Sequence, residues 1–156
     1  MKPLLASSAQ AQLAYDGQRL HQILESPVFD QSTPEDTSWK PAFCEAIILL
    51  DGLLNHAEQM GHRIDFTDEV GVHGKVQDIT SLVSWFRRCM PASAAEAPDR
   101  HLSSRLNCYA DAGSGYFANG YFFTCNHTGE LAFFLDDQRI YLHRHIHRSL
   151  QEAESA

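Results

Sequence analysis

Residues 41–61 read PAFCEAIILLDGLLNHAEQMG, and the reading of this run decides the fold. Phe43, Ile47, Leu50, Leu54 and Ala57 recur at three- and four-residue steps, the spacing of one helical face. Ala46, Leu49, Leu53 and Met60 widen that face past the usual apolar stripe, so the helix is expected to be covered on more than one side. Glu45, Asp51, Gly52 and Glu58 fall on the remaining strip, which reads as solvated. A glycine inside the run costs about 1 kcal/mol relative to alanine, and either close packing or an unoptimised position accounts for Gly52.

Upstream, Ser7 or Ser8 is placed to cap a first helix over residues 8–24, with Leu13, Leu20 and Leu24 as its face and Ala9 and Tyr15 nearby. Ser26-Pro27 ends it, because the residue before proline avoids helical geometry. A polar connection leads to the central helix, which Thr37 or Ser38 would cap and whose start Trp39 would pack. Downstream, residues 62–75 read as loop. Asp78 looks like an N-cap, and Ile79, Leu82, Val83, Phe86 and Met90 predict a third helix over 79–90 that Pro91 stops. The stretch PASAAEAPD is a linker by composition.

Beyond residue 103 the period changes from helical to alternating. Leu106, Cys108 and Ala110 alternate with polar residues; Gly113-Ser114-Gly115 reads as a turn. Asn119-Gly120 between two aromatic triplets is a hairpin signal. His127-Thr128-Gly129 is a further turn, Leu131, Phe133 and Leu135 a further strand, and Asp136-Asp137-Gln138 a turn into Arg139–Leu142. A helix over 143–153 closes the chain. The expected fold class is α+β: a four-helix bundle-like single domain over residues 1–156, with a small antiparallel β-meander, its strands within 104–142, inserted before the C-terminal helix.

The chain has 156 residues and a net charge of −8, which argues against a whole-surface nucleic-acid binder. The charge is uneven: residues 1–99 hold seven Lys/Arg against fourteen Asp/Glu, and residues 100–156 hold five against six. Within 139–148 there are three arginines, three histidines and no acid, so an anionic partner would meet the protein there. The four cysteines include no CxxC pair, so zinc-finger spacing is absent and buried free thiols in a reducing compartment are expected. With no signal-peptide pattern and no membrane-length apolar run, the expected location is the cytoplasm and no membrane contact is expected.

The tail FFLDDQRIYLHRHIHRSLQEAE, residues 133–154, resembles the end of a small bacterial, often plasmid-borne family in which an RIYL-type strand leads into a basic helix. QDITSLVSWFRRCM, residues 77–90, is similar to that family's Asp-Ile-Thr capped helix. The family is placed among the HEPN-like helical domains. This resemblance implies a toxin–antitoxin, phage-defence or nucleotide-associated setting. It also implies a catalytic arginine followed four to six residues later by a histidine, able to hold a phosphate and exchange a proton during RNA cleavage. Arg87 and Arg88 stand at the arginine position, but residues 92–95 read Ala-Ser-Ala-Ala, and His101 is the next histidine. The resemblance therefore implies a degenerate, non-catalytic accessory protein that binds RNA or a partner protein.

Two alternatives stay open. One is a metal-independent ribonuclease using Arg87 or Arg88 with His101 or a histidine from elsewhere. The other is an interaction module whose apolar helices form a homodimer. Arg139 and His145 also satisfy the bare arginine–histidine spacing across a change from strand to helix. Arg139, His143, Arg144, His145 and Arg148 are the candidate anion- or nucleic-acid-binding residues, aided by the N-terminal dipole of the closing helix. His143 and His147 share a helical face but lack an HExxH pattern, so the histidines read as surface residues and neither metal nor cofactor is expected.

Overall fold

The computed structural model describes residues 2–30, 38–90 and 105–155. Among these, four helices and five strands make a mixed α+β fold: α1 Lys2–Glu25, α2 Trp39–Gln59, α3 Ile79–Cys89, β1 Leu106–Ala110, β2 Gly113–Tyr116, β3 Phe122–Cys125, β4 Leu131–Leu135, β5 Gln138–Tyr141 and α4 Arg148–Ser155. Residues 31–37, His101 and the stretch 92–95 lie outside the described residues.

The central helix behaves as its spacing dictates. Phe43, Ile47, Leu50, Leu54 and Ala57 are all buried, and α1, α3 and α4 pack against α2. Met60 departs from the expectation: α2 ends at Gln59, and Met60 is 63% exposed. The polar strip departs too, because its carboxylates bind neighbouring elements. Glu45 accepts two hydrogen bonds from the Arg19 guanidinium of α1, at 2.7 and 2.8 Å. Asp51 accepts from Ser84 Oγ of α3 at 2.8 Å, and Glu58 pairs with Arg63. Gly52 has open space where a side chain would go, so close packing does not explain it.

The first helix starts at Lys2, earlier than either serine would cap it. Among the described side chains of α1, Leu20, Ile23 and Leu24 of its last turns join the core, and Tyr15 is exposed. It ends where proline predicts, at Glu25, with Ser26 extended before the short 3-10 turn Pro27–Phe29. For α3 the capping box is complete: Asp78 accepts from the Ser81 N–H at 2.9 Å, and Ser81 Oγ accepts from the Asp78 N–H at 2.9 Å. Arg63 locks the cap with two bonds to the Asp78 carboxylate, each 2.9 Å.

The strands do not form one continuous meander. β1, β4 and β5 make a three-stranded antiparallel sheet in the order β1-β4-β5, and β2 and β3 form a separate two-stranded hairpin. This division explains β4, which is buried on both faces. Leu131, Phe133 and Leu135 join the helical core, and Phe133 stacks on Phe43 with ring centroids 4.3 Å apart. Ala132 and Phe134 form a second cluster with Phe123, Cys125 and Tyr141 beneath the hairpin.

Gly113-Ser114-Gly115 is strand, not turn. Its glycines answer close approach: a Cβ at Gly113 would collide with the Tyr109 ring, and one at Gly115 would sit 3.3 Å from Phe123. The hairpin at Asn119-Gly120 forms, but with a longer loop than the dipeptide alone suggests. The Gly120 N–H bonds to the Phe117 carbonyl, the Phe117 N–H bonds to the Tyr121 carbonyl, and Gly120 takes φ +92°. All four cysteines are free; Cys44 and Cys125 are buried, Cys89 and Cys108 half-buried. No helix among the described residues is long and apolar enough to cross a membrane.

Candidate functional site

The basic run at 139–148 is the first place to look, and folding changes its electrostatic character. β5 passes without a linker into a π-helical turn, Leu142–His147, which continues as α4. The first exposed amides of a helix attract an anion. Here the chain supplies one. Glu130, itself buried, accepts from the His143 N–H at 3.0 Å, the Arg144 N–H at 3.2 Å and the His143 ring Nδ1 at 2.9 Å. The anion site expected at the start of the closing helix is thus filled from within.

The arginines are similarly matched. Arg144 lies 3.8 Å from Glu130. Arg148 pairs with Asp68 at 3.1 Å and Glu152 at 2.7 Å, and its guanidinium covers the Phe66 ring at 3.8 Å. Arg139 donates to the Thr124 carbonyl at 2.6 Å, pairs with Glu69 at 3.4 Å and lies over Tyr141 at 4.7 Å. Three arginines therefore face four acids, Asp68, Glu69, Glu130 and Glu152, three of which lie outside the tail segment. The sequence segment is basic, but among the described residues each of its arginines lies beside an acid of the same chain.

His145 is not a surface histidine; it is fully buried. The Tyr141 N–H donates to its Nδ1 at 2.9 Å, and its Nε2 lies 2.9 Å from the Asp68 carbonyl oxygen. A carbonyl only accepts, so the proton resides on Nε2 and the ring is neutral. Burial pushes its pKa down to about 4. Both ring nitrogens are committed to backbone, which leaves none for proton transfer with Arg139. His143 and His147 stack nearly parallel, with centroids 4.8 Å apart and planes 13° apart. That arrangement brings ring faces together instead of converging nitrogens on one point.

Arg87 and Arg88 lie in the last turn of α3, Arg87 half-buried and Arg88 exposed. No hydrogen bond, ion pair or ring contact joins either to a histidine among the described residues.

A different constellation was not legible in the sequence. Glu69 lies 3.3 Å from His127 Nε2 and 3.4 Å from Arg139 Nη2, bridging a loop, a turn and a strand. His127 and Arg139 both contact the Tyr141 ring, and burial raises the Tyr141 pKa. The Val70 N–H bonds to the Thr67 carbonyl, closing a turn whose third residue is Glu69 at φ +61°. Glycine or asparagine is the usual choice there. A cavity of about 570 Å³ opens beside this group, between β3, β5 and the Glu69 turn. On the outer face of the hairpin, Tyr116 is 75% and Phe122 55% exposed, and the two rings meet edge to face at 5.4 Å. A second cavity, of about 500 Å³, lies between α1, α2 and α4 and is lined mainly by apolar residues.

Glu69, His127 and Glu130 escaped the sequence reading because each sits in a loop or at a loop edge, with no periodicity to mark it. Their partners are 13 to 70 residues away. The alternation of strand and turn around Gly129 was the one available signal, and it names no side-chain partner. No protein-family model matches the chain, and comparisons with curated proteins and with solved structures gave no match.

Proposed function

We propose that this protein is a non-catalytic, HEPN-like accessory module that holds a partner protein, in the bacterial defence or toxin–antitoxin type of setting its tail resembles. In this reading α1, α3 and α4 around α2 stand for the helical bundle of such domains. The observation that carries the reading is the outer face of the β2–β3 hairpin, where Tyr116 and Phe122 form an exposed aromatic pair. Aromatic side chains each bury about 150–250 Å². Covering the exposed parts of these two would contribute on the order of 5 kcal/mol at about 25 cal/mol per Å². RNA is the weaker partner, because phosphate binding needs cations that are free to replace counterions, and Arg139, Arg144 and Arg148 already face acids of the same chain.

The test is the double variant Tyr116→Ser/Phe122→Ser, both positions being exposed enough to leave the core intact. Sedimentation velocity asks whether the partner is a second copy. Affinity capture, run in parallel on native and variant protein, asks whether it is another protein. The reading expects an association that the native protein makes and the double variant loses. Identical behaviour of the two in both experiments rejects it.

A further inference from the structure

The β2–β3 hairpin is a ladder of two strands, and the phase of its hydrogen bonds fixes what its free edge offers. Just beyond the ladder the Phe117 N–H bonds to the Tyr121 carbonyl, so these two residues face each other as a hydrogen-bonded pair. Bonded and non-bonded pairs alternate along an antiparallel ladder. The register then makes Tyr116↔Phe122 and Ser114↔Thr124 non-bonded pairs, and Gly115↔Phe123 and Gly113↔Cys125 bonded ones. The N–H and C=O groups of Phe122 and Thr124 therefore point away from β2. Among the described residues, only the Thr124 carbonyl of these four groups has a partner, Arg139 Nη1 at 2.6 Å.

Space lies along that edge. The cavity of about 570 Å³ is lined by four consecutive residues, Tyr121, Phe122, Phe123 and Thr124. Successive side chains of a strand point to opposite faces, so what these four share is the edge. Arg139 lines the same cavity, and its bond to the Thr124 carbonyl comes from that side. Native folds blunt an open edge with lysine, proline or a covering segment, because an open edge templates another strand. β3 reads Phe-Phe-Thr-Cys and carries neither lysine nor proline.

We infer that the β3 edge takes an extended segment of a partner protein as an added strand, with a basic side chain of that segment directed at Asp137. Asp137 is exposed, lines the cavity and makes no ion pair among the described residues. Glu69 lines it too, while Arg139, its cation, is engaged with Glu69 and the Thr124 carbonyl. A basic residue answers this imbalance in a chain of net charge −8. A second copy of β3 has no basic residue to offer, so the strand comes from another protein. This inference rests on the partner-holding reading above: the added strand lies beside Phe122, whose ring already meets Tyr116, so edge and aromatic pair form one surface.

The experiment is a titration of the full chain with an end-capped hexapeptide of alternating lysine and valine, followed by ¹⁵N–¹H correlation spectra and amide hydrogen exchange. The same peptide with N-methylated backbone amides and a glutamate–valine counterpart are the comparisons. In the free protein the amides of Phe122 and Thr124 should exchange fast and those of Phe123 and Cys125 slowly. The lysine–valine peptide should bind with Kd below about 1 mM and slow the first two, and both comparison peptides should bind at least about tenfold more weakly, the upper range for one hydrogen bond. Thr124→Pro removes an outward donor and spares the bonds to β2, and should weaken the peptide at least about tenfold. A thermal melt checks its folding, and Asp137→Lys at the exposed turn gives a second reading with the same expected loss. Absence of saturable binding, slow exchange of Phe122 and Thr124 in the free protein, or equal binding of either comparison peptide overturns the inference. A Thr124→Pro protein that keeps an association lost by Tyr116→Ser/Phe122→Ser also overturns it, and leaves the partner-holding reading standing.

Discussion

Acid should unfold this protein through His145. The imidazole is fully buried, with Tyr141 N–H donating to Nδ1 and the Asp68 carbonyl facing Nε2. Adding a proton to Nδ1 would set two donors against each other inside the core. Burial is the main cause of the fall of its pKa to about 4; Arg139 pushes the same way, and Glu69, Glu130 and the Asp68 carbonyl oppose. Unfolded, the same side chain titrates near 6.5. Between these values the unfolded chain binds more protons than the folded one, so stability falls as pH falls through this window and the loss is complete below about 4. The difference of roughly 2.5 pKa units corresponds to about 3 kcal/mol, a large part of a typical domain's stability. His147, whose pKa is lowered by burial and by His143, adds in the same direction. Asp78 acts elsewhere. Burial pushes its carboxyl up, but the bonds from Arg63 and Ser81 outweigh it and hold it below the ordinary carboxylate value, so its contribution disappears only at still lower pH. Urea unfolding followed by circular dichroism, from about pH 7 down to about pH 4.5, reads the slope directly. His145→Gln should be less stable than native at neutral pH yet lose most of the slope. Equal slopes in native and variant, or a flat native profile, would refute the reasoning.

Other outcomes follow from single residues. Gly52→Ala fills open space on an exposed helix position and should stabilise by about 1 kcal/mol in urea unfolding. Glu130→Ala removes the acceptor of two helix-start amides and should cost about 2 kcal/mol in the same assay. Glu69→Asn removes two loose ion pairs but suits a positive φ, so chemical unfolding should show stability held or raised by up to about 1 kcal/mol. A loss of more than about 2 kcal/mol there would mean that the Glu69 contacts outweigh the relief of the backbone conformation.

The helical half was legible because its signals are local. The face of α2 and the Asp78 cap each lie within one element, and both formed as spacing and side-chain chemistry dictate. The strand half was legible in its alternation but not in its pairing. Leu131, Phe133 and Leu135 point where alternation puts them. Nothing local reveals that Ala132 and Phe134 also find cover, because that cover comes from a hairpin inserted between β1 and β4. Gly113 and Gly115 read as turn residues because glycine has two uses, and here aromatic rings lying against the strand select the second.

Electrostatics were the least legible. The residues of 139–148 contain no acid, yet Asp68 and Glu69 reach them from a loop some 70 or 80 residues earlier, and Glu130 from the preceding strand edge. Charge counted along the chain describes a surface only where no other segment folds onto it.

Binding of a fluorescent single-stranded RNA, followed by anisotropy in low salt, tests most directly whether the closing arginines are already spent on the protein's own acids. Matched cations release few counterions, so no saturable binding is expected up to about 100 µM protein, with native and Arg144→Glu/Arg148→Glu proteins alike. Micromolar binding that weakens steeply with salt and vanishes in the charge-reversed protein would contradict the account.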